Sequence, residues 1–216
     1  MQAKGQSTPE TVNAVTATLH RLDAINESIR VEQSKGQKAH TWLTQTEVKQ
    51  LLNHCDDTIT GKRDRVVLSL LLGAGLRRSE LAALTFDSIK MQGNRTVLEV
   101  TGKGAKDRVI PISDKLSQLL TEWQQIAGDG YIARSLGMNR ELGESLSDVQ
   151  IFRIVRAYGG KMGKPELAAH DLRRTYAQLG FEAGVPITQI SKLLTKLRLK
   201  PPSRLRQRQK LFDFVS

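Results

Sequence analysis

The residues of this chain whose types and spacing suit chemistry are mostly cationic. His170 and Arg173 are three apart in His170-Asp171-Leu172-Arg173, which puts them on one face of a helix. Arg77 follows the glycine turn Gly73-Ala74-Gly75, at a helix start, and Lys103 stands between Gly102 and Gly104 at a hairpin tip. A phosphodiester under attack passes through a pentavalent state with charge on its oxygens. Guanidinium groups suit that state because they stay charged and donate two parallel hydrogen bonds. A lysine on a turn can protonate a leaving oxygen, and a histidine can move a proton near neutral pH. Each residue also has a plain structural alternative. Arg77 and Lys103 could be surface residues beside turns, His170 a helix cap, and Arg173 the partner of Asp171 or Glu182. Spacing by itself leaves both readings open.

Other chemistries find no support. The four histidines, His20, His40, His54 and His170, are unpaired at short spacing, and there is no CxxC or HExxH, so no metal site is expected. Gly102-Lys103-Gly104 lacks the spacing and hydroxyl of a nucleotide P-loop, and no GxSxG elbow is present, so no cofactor is expected either. Cys55 is the sole cysteine, which excludes an internal disulfide and fits a reducing, cytoplasmic setting. Met1 to Thr8 contains no apolar signal core, and the apolar run Val66 to Leu76 is too short to span a bilayer. The 216 residues suffice for one large domain without staples. The net charge of +11 is unevenly placed: Lys192, Lys196, Arg198, Lys200, Arg204, Arg206, Arg208 and Lys210 fall in a stretch without acids, and the remainder carries +3. A polyanionic partner is therefore suggested more by that stretch than by the body of the chain.

The elements that must position these residues are mainly helical. Thr8-Pro9-Glu10 starts a helix striped by Val12, Val15, Leu19, Leu22, Ile25 and Ile29, and a polar linker follows. Thr44-Gln45-Thr46-Glu47 is a capping box with Leu43 and Val48 at the staple positions. Arg63 to Leu72 reads as a helix buried on most faces, and Arg78 to Leu84 as a short one. Thr96–Thr101 and Arg108–Ile112 read as strands of a hairpin, with Pro111 marking an edge or a strand end. After Ser113, Leu116, Leu119, Leu120, Trp123 and Ile126 share a helical face. Gly128 to Gly143 reads as a loop with four glycines. Ser147 caps a helix bearing Val149, Phe152, Val155 and Tyr158. Further helices run from His170 to Ala183 and from Pro186 through Leu194. The sum is a mainly α domain with a small antiparallel β-hairpin or sheet.

Three strings decide between the alternatives. Gly75-Leu76-Arg77-Arg78-Ser79-Glu80-Leu81 resembles the first arginine box of the tyrosine recombinases, the phage-integrase family. Thr101-Gly102-Lys103-Gly104-Ala105-Lys106-Asp107-Arg108, followed by Val109-Ile110-Pro111-Ile112, resembles their β-hairpin lysine segment, and His170-Asp171-Leu172-Arg173-Arg174-Thr175-Tyr176-Ala177 their HxxR box. Gly184-Val185-Pro186 through Leu194 is similar to the segment that follows. Order and spacing agree over residues 42 to 194. The resemblance implies a mainly helical DNA breaking-rejoining catalytic domain. It implies cutting and rejoining of double-stranded DNA through a 3′-phosphotyrosine link, as in DNA integration by mobile elements, without metal or nucleotide cofactor. Its partners would be DNA and further copies of the chain, a tetramer on DNA, with no membrane. By position, Arg77 and Arg173 would clamp the scissile phosphate, Lys103 would be the acid for the 5′-hydroxyl, His170 the proton-transfer residue, and Glu80 a supporting acid that orients the clamp. Tyr176 falls where the family packs a structural residue.

One part of the pattern departs. After Leu193-Leu194 the family has Gly-His and then a tyrosine nine residues beyond the histidine. Here those positions are Thr195, Lys196 and Leu205, and no tyrosine follows Tyr176. The expectation is a replaced, for instance frameshifted, C-terminus and a chain that is inactive as written because it supplies no nucleophile. The family also carries an N-terminal core-binding domain of several helices, of which one helix is legible here. The expected layout is a remnant helix and linker at 1–38, the catalytic domain at 39–195, and a basic tail at 196–216. The competing reading is a non-catalytic helix-turn-helix DNA-binding protein turning at Glu182-Ala183-Gly184-Val185. It accounts for the tail but leaves Gly75 to Glu80 and Lys103 without a role.

Overall fold

Thr44 starts the fold as the sequence predicts. In the computed structural model, which describes residues 42–102 and 106–194, its hydroxyl accepts from the Glu47 amide while Glu47 Oε2 accepts from the Thr44 amide at 2.7 Å. The expected N-terminal helix, Lys103 and the basic segment after Leu194 lie outside the described residues. Thr44 caps α1 (Gln45–Asn53), and the staple residues Leu43 and Val48 are both fully buried. The Leu43 amide donates to Thr175 Oγ1 at 2.9 Å, tying the start of this domain to a residue 132 positions later.

Helix α2 (Ile59–Gly73) begins four residues before the apolar pattern does, because Thr58 supplies the cap by accepting from the Gly61 amide. Val66 through Leu72 are buried all round. This is the central helix of the domain, and each fully buried Leu contributes about 1.5–3 kcal/mol relative to exposure. The short α3 (Arg78–Ala82) follows the Gly75 turn.

A 3-10 turn at Phe86–Ser88 leads into a three-stranded antiparallel sheet in the order β1 (Ile89–Gln92), β2 (Arg95–Gly102), β3 (Lys106–Pro111). Leu98 pairs with Ile110 and Val100 with Arg108, and Leu98, Val100 and Ile110 form the buried face. Pro111 is both the last residue of β3 and on an edge strand, where its missing N–H costs no ladder bond. β1 is an element the sequence reading lacks. Lys90, Met91 and Gln92 are exposed, so no apolar alternation betrays it.

Helix α4 (Asp114–Ala127), capped by Ser113, buries Leu116, Leu120, Trp123 and Ala127, and Trp123 Nε1 donates to the Ile132 carbonyl at 2.8 Å. Ile126, predicted on that face, is 41% exposed. The stripe steps from Trp123 by four to Ala127 and leaves Ile126 at its margin. The glycine-rich stretch after α4 is not all loop: β4 (Arg134–Leu136) pairs antiparallel with β5 (Leu142–Ser145). Helix α5 (Asp148–Lys161), capped by Ser147 as predicted, buries Ile151, Ile154, Val155 and Tyr158. Val149 is 51% exposed because it lies two residues, over half a turn, from Ile151. Phe152 is half-buried beneath Arg78 and Arg156, whose guanidinium carbons lie 5.5 and 5.1 Å from the ring centroid.

Helix α6 (Ala169–Glu182) and helix α7 (Ile187–Leu194) complete the domain, and α2 packs against both α4 and α6. The architecture is thus a mainly helical domain with small antiparallel sheets. Among the described residues no helix is long and apolar enough to cross a membrane.

Candidate functional site

The site is built on the turn between α2 and α3. Gly75 has φ +58°, a left-handed conformation that favours glycine, and a Cβ there would stand 2.7 Å from Tyr176 Cδ1 and 3.0 Å from Leu194 Cδ2. Its missing side chain lets α6 close onto the turn. The approach has a direct chemical result: Arg173, on α6, donates through Nη1 to the Gly75 carbonyl and through Nη2 to the Leu194 carbonyl.

Two residues on, Arg77 occupies the N-cap position of α3 and Glu80 its third residue. A guanidinium cannot accept a hydrogen bond, so only half of a capping box forms: Glu80 Oε2 accepts from the Arg77 amide at 2.8 Å. Glu80 Oε1 also accepts from Arg77 Nη1 at 2.7 Å. From β3, Arg108 meets the same carboxylate with a two-pronged fork, Nη1 to Oε1 and Nη2 to Oε2, both at 2.7 Å. Arg173 Nη1 stands 3.9 Å from Oε2. One carboxylate is therefore surrounded by three guanidinium groups, leaving a net charge of +2.

The exposure of these groups separates their roles. The side chains of Glu80 and Arg108 are 4% and 2% exposed, that of Arg173 is 9%, and that of Arg77 is 43%. Burial pushes the Glu80 carboxyl up. The hydrogen bonds from Arg108 and from the Arg77 amide, with the Arg108 charge, outweigh it and hold Glu80 down at about 2. Burial, then the Arg77 charge, brings Arg173 down to about 10, so it stays protonated at neutral pH. What faces solvent is one guanidinium held by an ionised carboxylate, with a second just beneath. That arrangement suits a phosphate oxyanion.

Of the residues that the sequence points to, the fold brings Arg77, Glu80 and Arg173 together. Arg173 pairs with neither Asp171 nor Glu182; its partners are the carbonyls and Glu80. His170 stands one turn before Arg173 on α6 and is exposed, while the helix start is capped by Asp171 Oδ2 accepting from the Ala168 amide at 3.0 Å. Lys103 is outside the described residues. Arg108 is the member that the sequence reading missed. A signal for it exists: alternation in Arg108-Val109-Ile110-Pro111-Ile112 puts Arg108 on the buried face with Ile110, and a buried arginine needs a buried carboxylate.

Tyr176 is fully buried with its ring against Gly75, Tyr158 is 5% exposed, and Tyr131 is 36% exposed. Among the described residues no cluster of three or more His, Cys, Asp or Glu side chains is placed to hold a metal ion. A cavity of about 160 Å³ lies elsewhere, between α2 and α4, lined by residues including Asp57, Lys62, Arg65, Leu119 and Trp123. It shares no residue with the Glu80 cluster.

The phage integrase family model matches residues 41–195. The chain is 37% identical over 152 residues to tyrosine recombinase XerA of Thermococcus kodakarensis, covering 70% of this chain and 52% of that protein. It is 34% identical over 201 residues to XerA of Pyrococcus furiosus, covering 90% and 68%. The chain thus spans about half the length of several of the curated relatives it matches. Among solved structures, an XerA recombinase matches with a TM-score of 0.59 at 21% identity over 87% of this chain and 67% of that one. The integrase from mycobacterium phage Brujita matches with a TM-score of 0.64 at 17% identity over 98% and 74%. These two show the shared fold, while the extent of the family match shows the kinship. The chain belongs to the phage integrase family, the tyrosine recombinases, and its described residues are a catalytic domain of that family.

Proposed function

We propose that this chain grips one phosphate of double-stranded DNA between Arg77 and Arg173 as part of site-specific DNA strand exchange. The observation that carries this reading is the Glu80 cluster: three guanidinium groups on one ionised carboxylate, with Arg77 open to solvent. Within it, Glu80 orients Arg77, Arg173 supports the same phosphate from below, His170 moves a proton, and Lys103 protonates the leaving 5′-oxygen. Among the structural relatives, XerH is solved bound to its difH substrate and the Tn1549 transposon integrase in complex with transposon right end DNA, which supports a DNA partner here. The reading carries with it a tetramer on DNA and work in the cytoplasm. It also carries a domain layout of 1–38, 39–195 and 196–216. Where the family carries Gly-His and its tyrosine, this sequence has Thr195, Lys196 and Leu205. On this reading the clamp residues hold the phosphate without supplying the tyrosine of the 3′-phosphotyrosine link.

Binding of a fluorescein-labelled duplex tests the grip. Arg77→Ala and Arg173→Ala should each weaken it by about 1.5–3 kcal/mol, the worth of a charge-assisted hydrogen bond. Equal affinity in wild type and both variants overturns the reading. A nicked suicide duplex tests the chemistry. No protein–DNA adduct should appear on a denaturing gel, and an adduct mapped to Tyr131, Tyr158 or Tyr176 overturns the assignment of an absent nucleophile.

A further inference from the structure

We propose that Arg108 is a positioning residue for the phosphate contact of Arg77, acting through Glu80; the inference rests on reading this site as a phosphate clamp. Arg108 itself is sealed from solvent at 2% exposure, so it does not touch a DNA phosphate. It commits both terminal nitrogens to Glu80, and its Nε finds no acceptor among the described residues. A buried donor left unmet is costly, so the fork is oriented by Glu80 rather than by its other surroundings.

The fork acts on Arg77 by geometry. Two parallel bonds fix the plane of a carboxylate and leave it no rotation. The remaining lone pairs then have set directions: Oε2 takes the Arg77 amide and Oε1 takes Arg77 Nη1. Arg77 is a long side chain at the surface, free to sample many rotamers without such an anchor. Its aim is thereby set from strand β3. Arg173 is placed differently: its hydrogen bonds go to the carbonyls of Gly75 and Leu194, while Glu80 Oε2 stands 3.9 Å from its Nη1, beyond hydrogen-bond reach. The Arg108 hydrogen bonds also come first among the influences that hold Glu80 ionised against its burial.

The test reads Arg77 in the full chain labelled with 15N-arginine. Its side-chain Nε–Hε resonance is assigned by its disappearance in Arg77→Lys. Inorganic phosphate is the probe, added at one fixed pH because its own charge changes near neutrality; the pH series, from about 5 to 8 and well above the range in which wild-type Glu80 takes up a proton, is run without it. In wild type without phosphate the resonance should be single and independent of pH, and phosphate should shift it. Arg108→Lys keeps the charge but not the fork. It should move the Arg77 resonance toward the position of a freely rotating side chain, leave Arg173 in place, and weaken phosphate binding by about tenfold. Arg108→Gln removes the charge as well, so the Arg77 resonance should acquire a pH dependence as Glu80 titrates. Should Arg108→Gln fail to unfold cooperatively on heating, Arg108→Lys carries the test alone. An Arg77 resonance and a phosphate affinity equal in wild type and Arg108→Lys overturn the inference while leaving the clamp intact. A wild-type Arg77 resonance indifferent to phosphate overturns the clamp itself, and the inference with it.

Discussion

Glu80 is the residue at which protonation and structure are most tightly joined. Despite its burial, the Arg108 fork and the Arg77 amide hold its carboxyl down at about 2, against about 4.3 for an unperturbed glutamate. A depressed acid contributes stability that is present above its unfolded value and lost as pH falls through the folded one. The difference is worth about 3 kcal/mol, lost between about pH 4.5 and 2. Acid unfolding followed by circular dichroism should show that loss in wild type. Glu80→Gln should lack it, because it has no proton to take up there. The same variant leaves Arg108 buried without a charged partner and should lower stability at neutral pH by about 3–5 kcal/mol, measured in urea. The sequence made part of this legible. Glu80 stands three residues after the N-cap Arg77, where a carboxylate reaches back to the cap, and the family motif names both. Arg108 was hidden by its type: a charged residue in a strand reads as solvated until its alternation with Ile110 is followed and a buried acid is sought for it.

At the scale of elements, the turn at Gly75 decides whether the arginines meet. Gly75→Ala would place a methyl 2.7 Å from Tyr176 Cδ1 and force an alanine to φ +58°. Strain and overpacking together should cost about 2–4 kcal/mol in urea unfolding. The variant should also weaken DNA binding in conditions where it stays folded, since α6 carries Arg173 and backs away from the turn. Elements announced by a cap were legible: Thr44 and Ser147 each accept from a backbone amide three residues on, as a cap does. The others were not, for physical reasons that differ. β1 carries no buried residue, so nothing in Lys90-Met91-Gln92 alternates. β4 and β5 span three and four residues among glycines and are only partly buried. On α5, Val155 and Tyr158 are buried as the sequence predicts, whereas Val149 and Phe152 only look like core: Ile151 and Ile154 point inward and Phe152 serves as the bed for Arg78 and Arg156.

At the scale of the whole chain, two sources of positive charge compete to explain any affinity for DNA. One is the Glu80 cluster, whose surplus of +2 is fixed in place. The other is the basic segment of Lys196, Arg198, Lys200, Arg204, Arg206, Arg208 and Lys210, written after the last described helix. They differ in how they should respond to salt. Each phosphate neutralised by a cation releases counterions, and affinity falls with salt with a slope of about −0.9 per phosphate on duplex DNA. A full-length chain with those seven cations exchanged for glutamine, which keeps the Leu194 carbonyl that accepts from Arg173 in a peptide bond, should therefore show a shallower slope than the natural sequence, because fewer phosphates are neutralised, but the slope should not vanish. Arg77→Ala removes a contact at one phosphate and should shift affinity by the same factor with and without those cations, to within about 0.3–0.5 kcal/mol, if the two contacts are independent. Fluorescence polarisation across a salt series on the four proteins completes this double-mutant cycle. Were the basic segment the whole of the DNA contact, the glutamine-exchanged chain would lose its salt-dependent binding and Arg77→Ala would change nothing in it. A surviving slope with an undiminished Arg77 effect places the sequence-independent grip in the folded domain, where one guanidinium is held out to solvent by a carboxylate that a strand arginine keeps in plane.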